Sequence, residues 1–306
     1  MLRVIPNNAV LGATIEGLDL SRPMSDREFA QVLKALGTYS VLRFPDQHID
    51  SFNLRDFSQR FGDIQGGISK AEGDPARDCP EVGILSNVKK DGSFIGLPNA
   101  GQDWHTDMSY RDLRGFVNVL YGLTIPRRDG PNGEKITLGG TEFSSMHAVY
   151  RALSEDIKLK LNGATATHDF EKFWENMRKA HGTRPPMTAE QRAQRPPVHH
   201  PIAPVHPITG TRTLYCNPGY ATAIDGWDKA ESDAMLEYLF EFQLRPEFRY
   251  MHTWTENDVL MWDNLGSIHQ AISDYRPDEA RLMKRCQVLA TKVFQPEFQE
   301  LLAHAA

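Results

Sequence analysis

Apolar side chains recur at helical spacing in only a few stretches of the chain. Phe29, Val32, Leu33 and Leu36 fall on one helix face. Ser25 and Glu28 precede them in the reciprocal capping pattern, and Gly37 follows as a stop. A second short helix is predicted over 53–61, with Gly62 after it, and a third over 146–161. Asp228 with Glu231 opens a further helix that Pro246 ends. Between these lie short apolar, β-branched runs at 40–44, 82–85, 116–125, 213–216, 248–253, 259–262 and 286–294, separated by Gly, Pro, Asn and Asp turns. Strands and helices do not alternate regularly, which argues against a doubly wound parallel sheet. Many short strands with helices outside them suggest a double-sheet barrel or jelly roll.

Composition narrows the function classes more than the fold. The chain has 306 residues, enough to bury a core as one large domain or two small ones. A net charge of -6 speaks against a nucleic-acid binder that relies on bulk positive charge, and against a polybasic membrane-surface protein. No apolar run approaches the length of a membrane span, and the start of the chain has no secretory-signal pattern. Cys79, Cys216 and Cys286 are odd in number and far apart, so no disulfide framework or thiolate zinc site is suggested and a cytoplasmic location is expected. Glycine-rich phosphate cradles are missing as well. The charged segment 171–198 ends in Arg195-Pro196-Pro197 and reads either as a solvated excursion or as a lid over a site.

The chemistry is concentrated in Asp103-Trp104-His105-Thr106-Asp107. In a strand, His105 and Asp107 would point the same way and offer an imidazole and a carboxylate to one ion. A chain with 11 histidines shows such a pair by chance, so the pair needs a third ligand. His269, beyond the strand-like run 259–262, could complete it. Two histidines and one carboxylate occupy one face of an octahedral ion and leave three positions open, the arrangement of non-haem Fe(II) oxygenases. Arg281 and Arg285 follow; arginine fixes a carboxylate through two parallel hydrogen bonds, although two arginines four apart also suit a solvated edge. His199, His200 and His206 could be read as a zinc cluster, but the prolines beside them favour a turn and a strand start.

Leu11-Gly12-Ala13-Thr14-Ile15-Glu16-Gly17, Arg43-Phe44-Pro45-Asp46-Gln47 and Arg60-Phe61-Gly62, then Trp104-His105-Thr106-Asp107, Gly139-Gly140-Thr141-Glu142-Phe143, Trp262-Asp263-Asn264 and Arg281-Leu282-Met283-Lys284-Arg285, form an ordered series. In these motifs the chain resembles the TauD/TfdA family, the taurine dioxygenase and 2,4-D dioxygenase group of Fe(II)- and 2-oxoglutarate-dependent enzymes. The resemblance implies a mainly β fold with outer helices, a cupin-like double-stranded β-helix (jelly roll), as a single catalytic domain over 1–306. It implies that His105, Asp107 and His269 bind Fe(II), that Thr141 and Arg281 hold the distal carboxylate of 2-oxoglutarate, and that Arg285 meets an anionic group of the substrate. Phe170 and Tyr220 fall where the taurine enzyme has substrate-side aromatics, and Asn87 is a further candidate for the substrate pocket. Trp104 and Trp262 read as packing beside the ligands. The implied reaction uses O2, releases succinate and CO2, and hydroxylates a small substrate: an aryloxyalkanoate, sulfonate, sulfate ester or carboxylate.

Two departures bear on the substrate and on Thr141. The interval from Asp107 to Thr141 is long and contains a loop-like insertion at 127–135. Gly67 stands where the taurine enzyme carries a sulfonate-reading histidine, while 86–92 is similar to the aryloxyalkanoate-degrading branch. Two other readings compete. A zinc-type hydrolase with the same His/Asp/His set would need no second carboxylate clamp, so Arg281 and Thr141 argue against it. A catalytically silent binding protein would not need an intact ligand set. Partners are expected to be small molecules, without nucleic acid or membrane; folds of this kind often assemble, which leaves a homo-oligomer open.

Overall fold

The apolar run after Arg114 becomes the strand Gly115–Thr124, whose first eight residues are buried. It lies inside a sheet, hydrogen-bonded to Val259–Asp263 on one side and Leu282–Leu289 on the other, and both its faces are covered by packed apolar side chains. In the computed structural model, which describes residues 2–66, 78–98, 101–181 and 185–303, the largest sheet has eight strands. From Val259–Asp263 it continues through Val41–Phe44 and Ala13–Glu16 to Arg3–Pro6. At the other end Ile64–Gln65 and Gly83–Ser86 both pair with Leu282–Leu289. A second, antiparallel sheet places Thr141–Ser145 between Arg249–His252 and Ser267–Ala271. Phe143 of this small sheet packs with Val41, Leu120, Leu260, Trp262 and Met283 of the large one, so the two sheets share an apolar interior, as a jelly roll requires. The other face of the large sheet is covered by helices Asp26–Tyr39, Ser51–Gln59 and Pro296–Ala303.

Local capping signals were realised closely. Ser25 accepts the backbone N–H of Glu28 while Glu28 takes that of Ser25. The helix nevertheless runs through Gly37 and ends at Ser40, which has φ 59°. Gly37 is a packing contact rather than a stop, since a Cβ there would lie 2.5 Å from Ile208 Cγ2. The second helix begins early because Asp50 and Asn53 form their own capping box. The helix predicted over 146–161 is two, Met146–Ala152 and Glu155–Leu161, because Ser154 caps a new start. Pro246 does not end Lys229–Phe242 but opens the short turn Pro246–Phe248.

Three predicted strands or loops differ. Residues 213–216 form no strand: the N–H groups of Thr213, Leu214 and Tyr215 bond to Pro204, Met146 and Ile202, which belong to different segments. The last strand begins at Leu282 rather than 286, because Lys284 and Arg285 break the apolar pattern yet sit within the ladder. The insertion at 127–135 is not a plain loop; Arg127–Asp129 and Lys135–Thr137 form a hairpin. Arg128 holds it by a fork on Glu279, with Nε to Oε1 at 2.7 Å.

Candidate active site

His105 is not in a strand. It forms one backbone bridge with His269, with N–H to O distances of 3.0 and 2.9 Å in the two directions, and a turn follows at once. Asp107 stands at the start of this turn, in which Met108 has φ 60°, and so is placed beside His105 outside any continuous strand. His105 Nε2 lies 3.3 Å from Asp107 Oδ1, and His269 Nε2 lies 4.0 Å from Asp107 Oδ2. The ligand atoms of all three lie within 4.8 Å of one another, and the three residues are buried.

This geometry fits a metal ion. Metal bonds of about 2.1 Å put neighbouring ligand atoms about 3 Å apart. Nδ1 of His105 donates to Asp103 O at 2.7 Å, which leaves the Nε2 lone pair for an ion. Burial pushes the His269 imidazole down to about 3, so it is neutral, the form that ligates. Burial alone would raise the Asp107 carboxyl, but the His105 ring beside it, with His269 and the Arg285 guanidinium, holds it well below its ordinary range.

Thr141 and Arg281 open on the same cavity. Trp254 Nε1 donates to Thr141 Oγ1 at 3.0 Å, so the threonine's own proton is free to turn toward a ligand. The Nε of Arg281 is buried and has no partner among the described residues. A charged group cannot be left so without cost, and a ligand carboxylate would satisfy it. Gly139, with φ 70°, leaves room for it, since a Cβ there would lie 3.2 Å from Arg281 Nε.

Asn87 does not line this cavity. Its Oδ1 accepts the N–H of Arg281 at 2.8 Å and its Nδ2 donates to Glu279 O at 3.0 Å, so it aligns the chain that carries Arg281. Phe170 and Tyr220 do line it, and Arg285 does as well. The cavity measures about 510 Å³. Trp262 lines it too and packs on His269 at 4.7 Å between ring centres, whereas Trp104 packs in the neighbouring core. Gly67 lies outside the described residues.

Several wall residues were not identified from sequence. The segment 171–198 carries most of the helix Phe170–His181, whose Phe170, Phe173, Trp174 and Met177 face the cavity. Their spacing of three, one and three was a legible helical stripe. Tyr110 packs at a tilt against Phe170, at 4.7 Å between ring centres, and Tyr220, at 5.1 Å, and Arg195 lies 4.3 Å over the Phe170 ring.

His199, His200 and His206 do not converge. His199 faces Asp225, His200 bonds to Arg111 O, and His206 to Asp263. His147 joins His206 and Asp263 within ligating distance. However, His206 Nδ1 accepts backbone N–H groups from Ile208 and Thr209, so its proton sits on Nε2 and is given to Asp263. That imidazole has no lone pair to offer an ion.

The sequence pattern described as "Taurine catabolism dioxygenase TauD, TfdA family" matches residues 3–287. The chain belongs to this family. Pentalenolactone F synthase of Streptomyces avermitilis is 31% identical over 295 residues, covering 92% of this chain and 91% of that one. The alpha-ketoglutarate-dependent 2,4-dichlorophenoxyacetate dioxygenase of Cupriavidus pinatubonensis is 29% identical over 273 residues, covering 87% and 90%. Among solved structures, AAD-2 in complex with Mn(II) and N-oxalylglycine has a TM-score of 0.75 at 25% identity, covering 95% of this chain and 98% of that one. A taurine dioxygenase from Burkholderia xenovorans has a TM-score of 0.72 at 28% identity, covering 94% and 90%. As a member of the family, the protein is an Fe(II)- and 2-oxoglutarate-dependent dioxygenase that acts on a small substrate. No helix among the described residues is long and apolar enough to cross a membrane.

Proposed function

We propose that His105, Asp107 and His269 hold the iron, that Arg281 and Thr141 hold the distal carboxylate of 2-oxoglutarate, and that the substrate is an aryloxyalkanoate or a similar anion with a ring-sized apolar body. The observation that carries the substrate class is the make-up of the cavity. The Arg285 side chain has no hydrogen-bond partner among the described residues, and it shares the cavity with a wall of Tyr110, Phe170, Phe173 and Tyr220. A guanidinium in such a place favours a carboxylate, and stacked aromatic faces favour a flat apolar body. The curated relatives that act on 2,4-dichlorophenoxyacetate and (S)-phenoxypropionate support this reading. We read the described parts of the segment, 171–181 and 185–198, as a lid over this wall, since Phe173, Trp174, Met177 and Arg195 face the cavity; residues 182–184 lie outside the described residues. Three buried, unpaired cysteines support a cytoplasmic location.

Bound Fe(II) supplies the coupling of O2 and 2-oxoglutarate oxidation to hydroxylation of a C–H bond, with release of succinate and CO2. The chain's own part is positional. Arg281 and Thr141 fix one end of 2-oxoglutarate, Arg285 fixes the substrate's anion, and the aromatic wall keeps water from the reacting carbon. The test is a screen of succinate release against aryloxyalkanoates, sulfonates, sulfate esters and small carboxylates. Aryloxyalkanoates are expected to drive it. Arg285→Gln should reduce kcat/KM for them by about 30-fold or more, as expected for a lost charge-assisted contact, while 2-oxoglutarate binding is retained. Preference for a neutral substrate, unaffected by this variant, would make Arg285 only part of the wall.

A smaller effect is expected at Trp254. Trp254→Phe keeps the ring but removes the donor to Thr141, and one neutral hydrogen bond is worth about 0.5–1.5 kcal/mol. The 2-oxoglutarate dissociation constant should rise about 2- to 10-fold, read by anaerobic titration, with substrate affinity unchanged.

A further inference from the structure

The strand Gly115–Thr124 reads Gly-Phe-Val-Asn-Val-Leu-Tyr, an apolar run interrupted by one amide. Asn118 is fully buried, and nothing in strand propensity asks for it there. Val117, Val119 and Tyr121 point into the core under the helices. Asn118 and Leu120 therefore share the opposite face, and Leu120 lines the active-site cavity. A buried amide is retained only where its hydrogen bonds are met. Those of Asn118 go to two residues: Nδ2 donates to Asp107 Oδ2, and Oδ1 accepts from Asn264 Nδ2 at 3.4 Å.

We propose that Asn118, steered by Asn264, is a positioning residue that turns the Asp107 carboxylate for metal binding; this rests on the reading of Asp107 as an iron ligand. The orientation of the amide follows from chemistry. An ionised carboxylate only accepts, so the NH2 end of Asn118 must face Asp107, which leaves its oxygen for Asn264. The backbone from which the Asn264 amide projects is fixed, because its N–H donates to Phe116 O at 2.8 Å in the neighbouring strand. Asp107 needs such a partner. It lies in a turn rather than in the sheet, and rotation of a carboxylate about its last bond is soft. Bonding Oδ2 to Asn118 leaves Oδ1 on the side of His105 Nε2, 3.3 Å away, where an ion would sit. Outer partners of this kind orient metal ligands and are worth about 10- to 100-fold in metal affinity.

The experiment titrates the metal-free full-length protein with Co(II), reading both the dissociation constant and the visible ligand-field band, beside Asp107→Ala as a reference. Asn118→Leu keeps the volume and removes the donor. It should weaken Co(II) binding about 10- to 100-fold and alter the band, with the far-UV circular dichroism of the metal-free protein retained. If the leucine variant does not fold, Asn118→Ala removes the amide without bulk and carries the same expectation. Asn264→Leu should give a smaller weakening in the same direction, because it acts through Asn118. A folded Asn118 variant with a dissociation constant within about twofold of wild type and the same band would overturn the proposal while leaving the ligand set intact, since twofold lies well below an outer partner's worth. Wild-type behaviour of Asp107→Ala would instead remove Asp107 from the ligand set, and the role of Asn118 with it.

Discussion

Replacing any one of His105, Asp107 and His269 by alanine is expected to bring 2-oxoglutarate turnover to background in a protein that still folds. Two short segments carry the three proposed ligands: the bridge and turn at 105–107 and the strand Ser267–Ala271. Among the described residues, the other group of potential ligands is His147, His206 and Asp263, and the hydrogen bonds of His206 commit it to Asp263. No spare ligand can therefore take over. Loss of an outer partner already costs about 10- to 100-fold, so loss of a ligand should cost more than about 100-fold in turnover. Succinate release with Fe(II) supplied, together with circular dichroism, measures this. Ordinary activity in a purified variant would remove that residue from the ligand set. The fold should tolerate each change, because the bridge between positions 105 and 269 is made by backbone groups.

The second large effect belongs to Arg281→Ala, which should raise the 2-oxoglutarate requirement far more than the substrate requirement. Arg281 is 7% exposed, and its Nε is unpartnered among the described residues. Its backbone is held on both sides, by Asn87 Oδ1 on the N–H and by Ser86 Oγ on the carbonyl, so the side chain projects from a fixed point. Losing one partner of a desolvated, hydrogen-bonded charge pair costs about 2–5 kcal/mol, or roughly 30-fold to 4,000-fold in affinity. Anaerobic titration of 2-oxoglutarate against the charge-transfer band of the Fe(II) complex reads it directly. An unchanged midpoint would move the clamp to another cation of the cavity, Arg285 first.

Helix starts were the most legible part of the fold, since a capping box is made by residues three apart. Ser25 with Glu28 was recognised and is realised; Asp50 with Asn53 is the same device in less usual residues. Strand runs buried on both faces were legible for a similar reason, because a continuous apolar stretch such as 116–125 needs cover on both sides. The family resemblance carried by the ordered motifs pointed to His105, Asp107, His269, Thr141, Arg281 and Arg285, and all six line one cavity.

What the sequence determined by itself was therefore local periodicity, helix starts and the order of a family's motifs. The tertiary structure decided which side chains meet. It made Gly37 a contact for Ile208 rather than a stop, and moved Asn87 from the pocket wall to the chain behind Arg281. It also brought the stripe Phe170, Phe173, Trp174 and Met177 against Tyr110, and Asn118 against Asp107. The physical reason is range. Caps and periodicity depend on residues within a turn or two of each other. A cavity wall, an unpartnered Nε on a buried arginine and an amide on a carboxylate depend on strand register and sheet packing, which join positions far apart in the chain.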